Sequence, residues 1–241
     1  MKRGSCVARE HILLVEDEED IRELVQLYLL KEGYRVSVAE TGEQAFELAF
    51  KERFDLYVLD IMLPDVSGME LCQRIRAQSN AIILFLTCKR ESDDIIAGLE
   101  IGADDYVIKP FNPKQLVARI TGHLRRASLA SASGAAVRKD CLPWRYGRLE
   151  MDFRNYELKV DGVVVPMYVK ERQLLMFFIE NPNQVFSVGQ LYERIWGWDR
   201  ESDERTVMVH VSNLRKKIEE YPGNPRYLVT VRGFGYKFCV K

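Results

Sequence analysis

The segment FDLYVLD, residues 54–60, is mostly apolar and ends in a carboxylate, Asp60. A short apolar run of this kind predicts a buried strand whose last residue reaches the edge of a sheet. Three other apolar segments also end at ionisable or hydroxylic residues: 12–15 before Glu16 and Asp17, 82–86 before Thr87, and 106–108 before Lys109. Because parallel strands end at the same edge of a sheet, we predict that these side chains share one crevice.

Together these side chains are suited to holding a phosphoryl group on Asp60. Three carboxylates in contact repel one another, and Lys109 alone cannot neutralise them together with a phosphoryl group. We therefore expect Mg²⁺ bound by Asp17 and Asp60, with Glu16 holding a metal-bound water. Asp60 would be the nucleophile, while Thr87 and Lys109 would contact the phosphoryl oxygens. Each residue alone could be an ordinary polar strand end, and only the complete set predicts this site.

Helical patterns alternate with the predicted strands over residues 10–126. Gly33 is expected to end the first helix, Thr41 to cap the second, and Asn112-Pro113 to begin the fifth, which should run to about Arg126. Strands that alternate with helices predict an α/β fold, a doubly wound parallel sheet. Residues 127–142 are small and polar and predict a flexible linker, and residues 1–9 predict a disordered extension.

Residues 143–241 predict a second, smaller α+β domain of different charge. They hold 16 Lys and Arg against 13 Asp and Glu, whereas residues 1–126 hold 17 against 22. Short strands at 146–151, 156–160 and 163–165 precede three predicted helices and a final hairpin. An acidic unit joined to a mildly basic one indicates that the second unit meets nucleic acid.

The third predicted helix, from Asp203 to about Glu220, is the candidate for reading DNA. Its apolar stripe comprises Val207, Val211, Leu214 and Ile218. The opposite face is predicted to present Arg205, Val209, Ser212, Asn213 and Lys216, with Arg215 and Lys217 on its flanks. Such a face fits the major groove of double-stranded DNA, although a merely solvated charged face is the alternative. The cationic, glycine-rich hairpin tip at residues 232–235 favours DNA, because it could enter a minor groove.

The first unit resembles the receiver domain of two-component response regulators. The resemblance covers about residues 10–126 and is carried by LVEDE at 14–18, LDIMLPDVSG at 59–68, Leu86-Thr87 and Lys109-Pro110-Phe111. It implies a flavodoxin-like five-stranded sheet of order 2-1-3-4-5, Asp60 as phosphoacceptor and a sensor histidine kinase as partner. It also implies that the Met62 carbonyl binds the metal and that the bond before Pro110 is cis.

The second unit resembles the winged-helix domain of the OmpR/PhoB class of response regulators. The resemblance covers about residues 143–240 and is carried by IWG at 195–197, ERTV at 204–207, VHV at 209–211, LRKK at 214–217 and VTVRGFGY at 229–236. It implies promoter DNA with head-to-tail half-sites, Arg232 in the minor groove, and Gly197–Ser202 facing RNA polymerase. His210 is expected to pack or to contact phosphate, because it lacks metal-ligand partners at suitable spacing.

The resemblance also implies how phosphorylation reaches the second unit. Thr87 would move toward the phosphoryl group, Tyr106 would turn inward, and the face made by helix 4, strand 5 and helix 5 would form a homodimer. Asp105 and Arg119 keep a charge pair expected on that face, whereas Ile95 and Gln115 replace opposite charges. We therefore predict weaker or more apolar dimerisation.

Two other function classes fit parts of the sequence. A Mg²⁺-dependent phosphohydrolase also uses an aspartyl phosphate, but it places a second acid two residues after the nucleophile, where this chain has Met62. A DNA-binding protein with a vestigial receiver would not need to keep the acids, Thr87 and Lys109 together. We therefore expect a regulator without turnover activity.

Cysteine usage and hydropathy bear on where the protein works. The five cysteines are odd in number and scattered, which predicts reduced thiols rather than a disulfide framework. Neither a membrane span nor a signal peptide is predicted, so a cytoplasmic location without a membrane partner is expected.

Overall fold

The computed structural model describes residues 10–88, 92–137, 143–197 and 204–240, and of residues 92–95, 128–137 and 204 the backbone alone. The chain divides into two compact units between Leu124 and Arg125. None of the helices within the described ranges combines the length and apolarity that crossing a bilayer requires.

The first unit is built on a five-stranded parallel sheet of order β2-β1-β3-β4-β5, as predicted. Its strands are β1 His11–Val15, β2 Arg35–Ala39, β3 Leu56–Asp60, β4 Ile82–Thr87 and β5 Asp105–Ile108. Its helices are α1 Glu19–Glu32, α2 Gly42–Lys51, α3 Gly68–Arg76, α4 Ser92–Ile101 and α5 Pro113–Val137. Every residue of β1, β3 and β4 is buried. Burial on both faces is typical of parallel strands covered by helices, and it leaves only the strand ends for polar side chains.

Local signals fix where these helices begin and end. Gly33 adopts a φ of 93° and closes α1, because a residue without Cβ enters the left-handed region at little cost. The Thr41 hydroxyl accepts from Gln44 N at the start of α2. The Asn112 carboxamide oxygen accepts from Lys114 N at 2.9 Å, which confirms the predicted start of α5.

Helix α5 corrects one expectation. It continues to Val137, so residues 127–137 are helical where an irregular linker was predicted. The segment contains Ala-rich stretches, and continuation of an existing helix adds one hydrogen bond per residue without a new nucleation cost. Residues 138–142 of the predicted linker and the predicted extension at 1–9 lie outside the described residues.

Within residues 143–197 and 204–240, the second unit shows a four-stranded antiparallel sheet, three helices and a three-stranded sheet. The first sheet has order β6-β7-β8-β9, with β6 Trp144–Tyr146, β7 Leu149–Asp152, β8 Glu157–Val160 and β9 Val163–Val165. The helices are α6 Val169–Glu180, α7 Val188–Ile195 and α8 Glu204–Ile218. The second sheet has order β10-β12-β11, with β10 Val185–Phe186, β11 Leu228–Val231 and β12 Gly235–Phe238. This is the predicted winged-helix arrangement, with β10 as a strand that the sequence pattern missed.

The core of this unit explains the position of α8. The predicted stripe of Val207, Val211, Leu214 and Ile218 is fully buried. Helix α8 packs against both α6 and α7, and the indole ring of Trp196 lies 5.1 Å from the imidazole of His210. Because two helices contact α8, the buried part of its circumference is wider than the single apolar stripe that the sequence predicted.

Candidate phosphoacceptor site and nucleic-acid interface

Three carboxylates meet at the carboxyl edge of the parallel sheet. Glu16 follows β1 and Asp60 ends β3, and both are buried, whereas the neighbouring Asp17 is exposed. One oxygen atom from each carboxylate lies within 4.8 Å of the others. The strands bring these acids together because β1 and β3 pair directly and in parallel.

Lys109 lies between two of the acids. Its Nζ donates to Glu16 Oε1 at 2.7 Å and to Asp60 Oδ2 at 2.5 Å, and it lies 3.4 Å from Glu18 Oε1. The residue follows β5, and its backbone N donates to the Thr87 carbonyl at 2.7 Å. The Lys109-Pro110 peptide bond is cis, as the resemblance implied. The structure thus joins the ends of β1, β3, β4 and β5 in one site.

Burial and charge perturb the titration of this cluster. Burial raises the pKa of Glu16 to about 7; the hydrogen bond from Lys109 opposes that shift, and the adjacent Asp60 carboxylate reinforces it. Burial alone would lower the pKa of Lys109, but its bonds to Asp60 and Glu16 outweigh burial and raise it above its ordinary value. The ammonium therefore stays charged beside the acids.

The donor set fits a divalent cation. Glu16 Oε2 is buried without a hydrogen-bond partner among the described residues, and Lys109 reaches only the other oxygen of this carboxylate. An unpaired buried oxygen is costly, and a cation or its bound water would satisfy it. Clustered carboxylate oxygens are ligands preferred by Mg²⁺. Glu16, Asp17 and Asp60 are therefore the side chains that could hold this ion.

The loop after β3 contacts Asp60 and so forms part of the site. Met62 N donates to Asp60 Oδ1 at 2.9 Å, so the backbone at Met62 turns toward the Asp60 carboxylate. A Cβ added at Gly68 would overlap the Asp60 carbonyl oxygen, so only glycine permits this approach. Sequence reasoning assigned no role to Asp65, whose carboxylate accepts from Gly42 N and Glu43 N, each at 2.9 Å, and anchors the loop to the N-terminus of α2.

The predicted switch residues lie close to this edge. Thr87 ends β4 and is buried. Tyr106 of β5 is also buried, and its predicted turn on phosphorylation stays a prediction. Arg119 Nη1 donates to the Tyr106 carbonyl at 2.8 Å and so joins α5 to β5.

The predicted dimer face differs in its charged residues. Asp105 is buried and lies 3.5 Å from Arg119 Nη1 of the same chain, so the pair is internal. Gln115 is exposed on α5 as expected. The side chain of Ile95 lies outside the described residues. In this conformation Asp105 offers no charge to a second copy.

The exposed face of α8 is rotated from the predicted one. Val209 and Asn213 are buried, so their predicted exposure is wrong, and His210 is buried as well. The reason is the wider buried arc that contact with α6 and α7 produces. The outward positions are instead Arg205, Met208, Ser212 and Lys216, of which Met208 is 52% exposed and was missed. The helical repeat of the sequence gives the angles between the side chains of α8. It does not give how much of the circumference of α8 the neighbouring helices cover.

Arg215 joins α8 to the wing, the hairpin of β11 and β12. Its Nε donates to the Leu228 carbonyl and its Nη2 to the Thr230 hydroxyl, both at 2.8 Å, and its guanidinium lies 5.5 Å from the centre of the Tyr236 ring. Burial lowers the pKa of Arg215 below its ordinary value. This side chain therefore braces the wing, whereas it was predicted to flank the face of α8 that meets DNA. Arg232 stands exposed at the wing tip.

A parallel sheet with a carboxylate trio and a lysine at its edge, and a second unit with a helix and a wing, are typical of a receiver domain joined to a winged-helix domain. The family model of the response regulator receiver domain matches residues 12–121, and that of the C-terminal domain of transcriptional regulatory proteins matches residues 162–238. The chain belongs to the OmpR/PhoB family of two-component response regulators, which are transcriptional regulators.

Individual relatives match over nearly the whole chain. The transcriptional regulatory protein YvrH of Bacillus subtilis is 42% identical over 228 residues, which cover 94% of each chain. The DNA-binding response regulator MtrA of Mycolicibacterium smegmatis is 38% identical, covering 95% of this chain and 96% of that protein. Among solved structures, the C128S mutant of RitR aligns with a TM-score of 0.73 at 26% identity, over 95% of this chain and 98% of the other. DrrB, an OmpR/PhoB homologue from Thermotoga maritima, aligns with a TM-score of 0.50 at 32% identity, over 96% and 100%.

Proposed function

We propose that this regulator accepts a phosphoryl group on Asp60 from a sensor histidine kinase. Phosphorylation would then control the affinity of the regulator for promoter DNA. The observation that carries the proposal is the position of Lys109 Nζ, within hydrogen-bonding distance of both Glu16 and Asp60 at the sheet edge. A buried acid, a fixed ammonium and an unpaired carboxylate oxygen together provide a nucleophile and the charge that a phosphoryl group needs.

The transfer step conserves atoms and charge in a simple way. A carboxylate oxygen of Asp60 attacks the phosphorus of a phosphohistidine, the new P–O bond forms, and the P–N bond breaks. The histidine leaves with the bonding electron pair and takes a proton. Lys109, which donates to Asp60 Oδ2 at 2.5 Å, can then donate to a phosphoryl oxygen, and Thr87 can do the same from β4.

Mg²⁺ would neutralise the charge that Asp60 shares with the phosphoryl group. Glu16, Asp17 and Asp60 would hold it together with the Met62 carbonyl. Position 62 carries no carboxylate to activate a water molecule, so the acyl phosphate should persist. Persistence suits a signal and disfavours the phosphohydrolase alternative.

Phosphorylation would act on the second unit by shifting a population. Converting a 1:99 mixture of states to 99:1 takes about 5.5 kcal/mol, more than two phosphoryl hydrogen bonds readily supply. Dimer contacts through α4, β5 and α5 and the DNA itself would supply the rest. Since Asp105 is held inside its own chain, this homodimer should be weak until DNA brings two copies together.

On DNA, α8 would lie in the major groove and Arg232 at the wing tip in the minor groove. The outward residues Arg205, Met208, Ser212 and Lys216 would face bases and phosphates, with Met208 able to touch a thymine methyl group. Two copies would occupy half-sites about 10 to 10.5 base pairs apart. The loop proposed to face RNA polymerase, Gly197–Ser202, lies outside the described residues from residue 198 onward.

The decisive experiment compares Asp60→Asn with Asp55→Asn in the full chain. Asp55 lies at the opposite end of the same strand, where its carboxylate accepts from His11 N at 2.8 Å. Acetyl phosphate should label wild type and Asp55→Asn but not Asp60→Asn, and only the first two should gain affinity for DNA selected from random sequence. Equal labelling and equal DNA binding of all three proteins would refute the proposal.

A further inference from the structure

The wing tip carries a large exposed aromatic residue next to its arginine. Phe234 is 71% exposed and directly follows Arg232-Gly233. Single apolar side chains are common on protein surfaces. A phenyl ring at the tip of a hairpin nevertheless gains hydrophobic free energy when a partner covers it. Exposure alone does not distinguish Phe234, since Phe50 is exposed to a similar degree, but its place on the wing tip two residues after Arg232 does.

The hairpin holds this ring in a fixed place. Phe234 N donates to the Val231 carbonyl at 2.9 Å and closes the turn, and Gly233 adopts a φ of 79°. Gly235 adopts a φ of 130°, and a Cβ there would overlap the Phe186 carbonyl oxygen of β10. Turn, glycine and neighbouring strand therefore prevent the tip from folding back to bury the ring.

The wing is also tied to the helix proposed to lie in the major groove. Arg215 of α8 bonds to the Leu228 carbonyl and the Thr230 hydroxyl of β11, each at 2.8 Å. This brace fixes where the tip lies relative to α8, and Arg232 of the same tip is proposed above to lie in the minor groove. The walls of that groove are deoxyribose rings, whose C–H groups offer apolar surface between the phosphates.

We propose that Phe234 is a DNA-contacting residue that packs its ring against the sugar wall of the minor groove while Arg232 supplies the charge. The inference rests on the proposed DNA binding of this unit. Arginine beside an aromatic ring suits DNA because one group neutralises phosphate or groove potential and the other displaces water from apolar surface.

Replacing Phe234 and replacing Arg232 should change the salt dependence of DNA binding differently. Phe234 carries no charge, so Phe234→Ala should weaken binding roughly 10-fold at every salt concentration and leave the slope of log K against log[salt] unchanged. Arg232→Ala should reduce that slope by about one ion. Phe234→Leu, which keeps apolar volume, should recover part of the affinity.

The experiment uses the full chain and a duplex that carries a single half-site, obtained by selecting bound DNA from random sequence with the wild-type protein. The matched control is Phe50→Ala, because Phe50 is 77% exposed on α2 of the other unit. Thermal unfolding of all variants shows that each is folded. A weaker Phe234→Ala with unchanged slope and an unaffected Phe50→Ala supports the proposal.

Two outcomes would overturn it. Phe234→Ala could bind the single half-site as wild type does, or it could lose affinity only on a tandem site, which would place the ring against a neighbouring copy instead. Failure of the underlying function looks different, since the wild-type protein itself would then show no salt-dependent binding to any selected duplex.

Discussion

His123 Nε2 donates to Asp105 Oδ2 at 3.0 Å, and both side chains are buried between β5 and α5. Burial would raise the pKa of Asp105, but the charge of Arg119 and the hydrogen bond from His123 outweigh it and lower the pKa to about 2. The carboxylate is thus ionised and held by two cationic or donor groups of its own chain. It stabilises the fold of its own chain, and the predicted contact of this position with a second copy stays a prediction.

The depressed pKa of Asp105 predicts a specific loss of stability in acid. A carboxyl group whose pKa is lower in the folded state stabilises the fold above its ordinary pKa of 3.8 and loses that contribution as pH falls toward 2. We expect this contribution to be about 2 kcal/mol, and urea unfolding of the full chain between pH 4 and about 2 would measure it. Asp105→Asn should be destabilised near neutral pH and should lose this part of the pH dependence. An Asn variant that follows the wild-type curve would contradict the assignment.

The internal position of Asp105 predicts weak dimerisation of the phosphorylated receiver. Acetyl phosphate should produce only a minor dimer fraction in sedimentation velocity, because Asp105 is engaged with His123 and Arg119, and Gln115 is uncharged. Arg119→Ala should change that fraction, since it removes the partner that holds Asp105 within its own chain. A tight dimer that is indifferent to Arg119→Ala would argue against the prediction.

Lys109 should make the unmodified receiver independent of Mg²⁺ for its stability. Replacing it by Met leaves Glu16 and Asp60 without the shared ammonium. Two unit charges about 4 Å apart repel by roughly 4 kcal/mol at an effective dielectric constant near 20. Lys109→Met should therefore melt earlier in EDTA, recover partly in MgCl₂, and fail to hold a phosphoryl group. Calorimetry on Lys51→Met, an exposed lysine paired with Glu47, should show neither effect.

Gly235 and Gly233 should differ sharply although both have positive φ. At Gly235 a Cβ meets the Phe186 carbonyl, whereas at Gly233 nothing lies within 4 Å. Gly233→Ala should cost about 1 kcal/mol from backbone strain, and Gly235→Ala several times more. Chemical denaturation of the full chain measures both. Equal costs would mean that the close approach of β10 to the wing has no energetic role.

Variants at Lys216 and Arg215 should distinguish a residue that contacts DNA from a residue that stabilises the wing. Lys216 is exposed on the outward face of α8, so Lys216→Ala should lower the salt dependence of DNA binding by about one ion. Arg215→Ala should chiefly lower the unfolding free energy, because it breaks two hydrogen bonds to β11. A reversed pattern in the salt titration and unfolding curves would return Arg215 to the DNA surface.

Much of the fold followed from short-range patterns. The ends of β1, β3, β4 and β5 were predictable because a strand buried on both faces can carry polar groups only at its ends. The caps at Thr41 and Asn112 were predictable because their hydrogen bonds join residues two or three positions apart. By contrast, β10 has two residues and exists through its pairing with β12, some fifty positions away, so no local signal announced it.

The sequence by itself determined which chemical groups this protein brings to the edge of its parallel sheet, since the alternation of strands and helices forces the strand ends to one edge. Tertiary packing decided which of the remaining side chains reach solvent. Val209 and Asn213 were turned inward by the helices beside α8, and Asp105 was drawn to His123 and Arg119 within its own unit. The physical reason is that helical and strand repeats fix directions along an element, whereas exposure depends on neighbours contributed by distant parts of the chain.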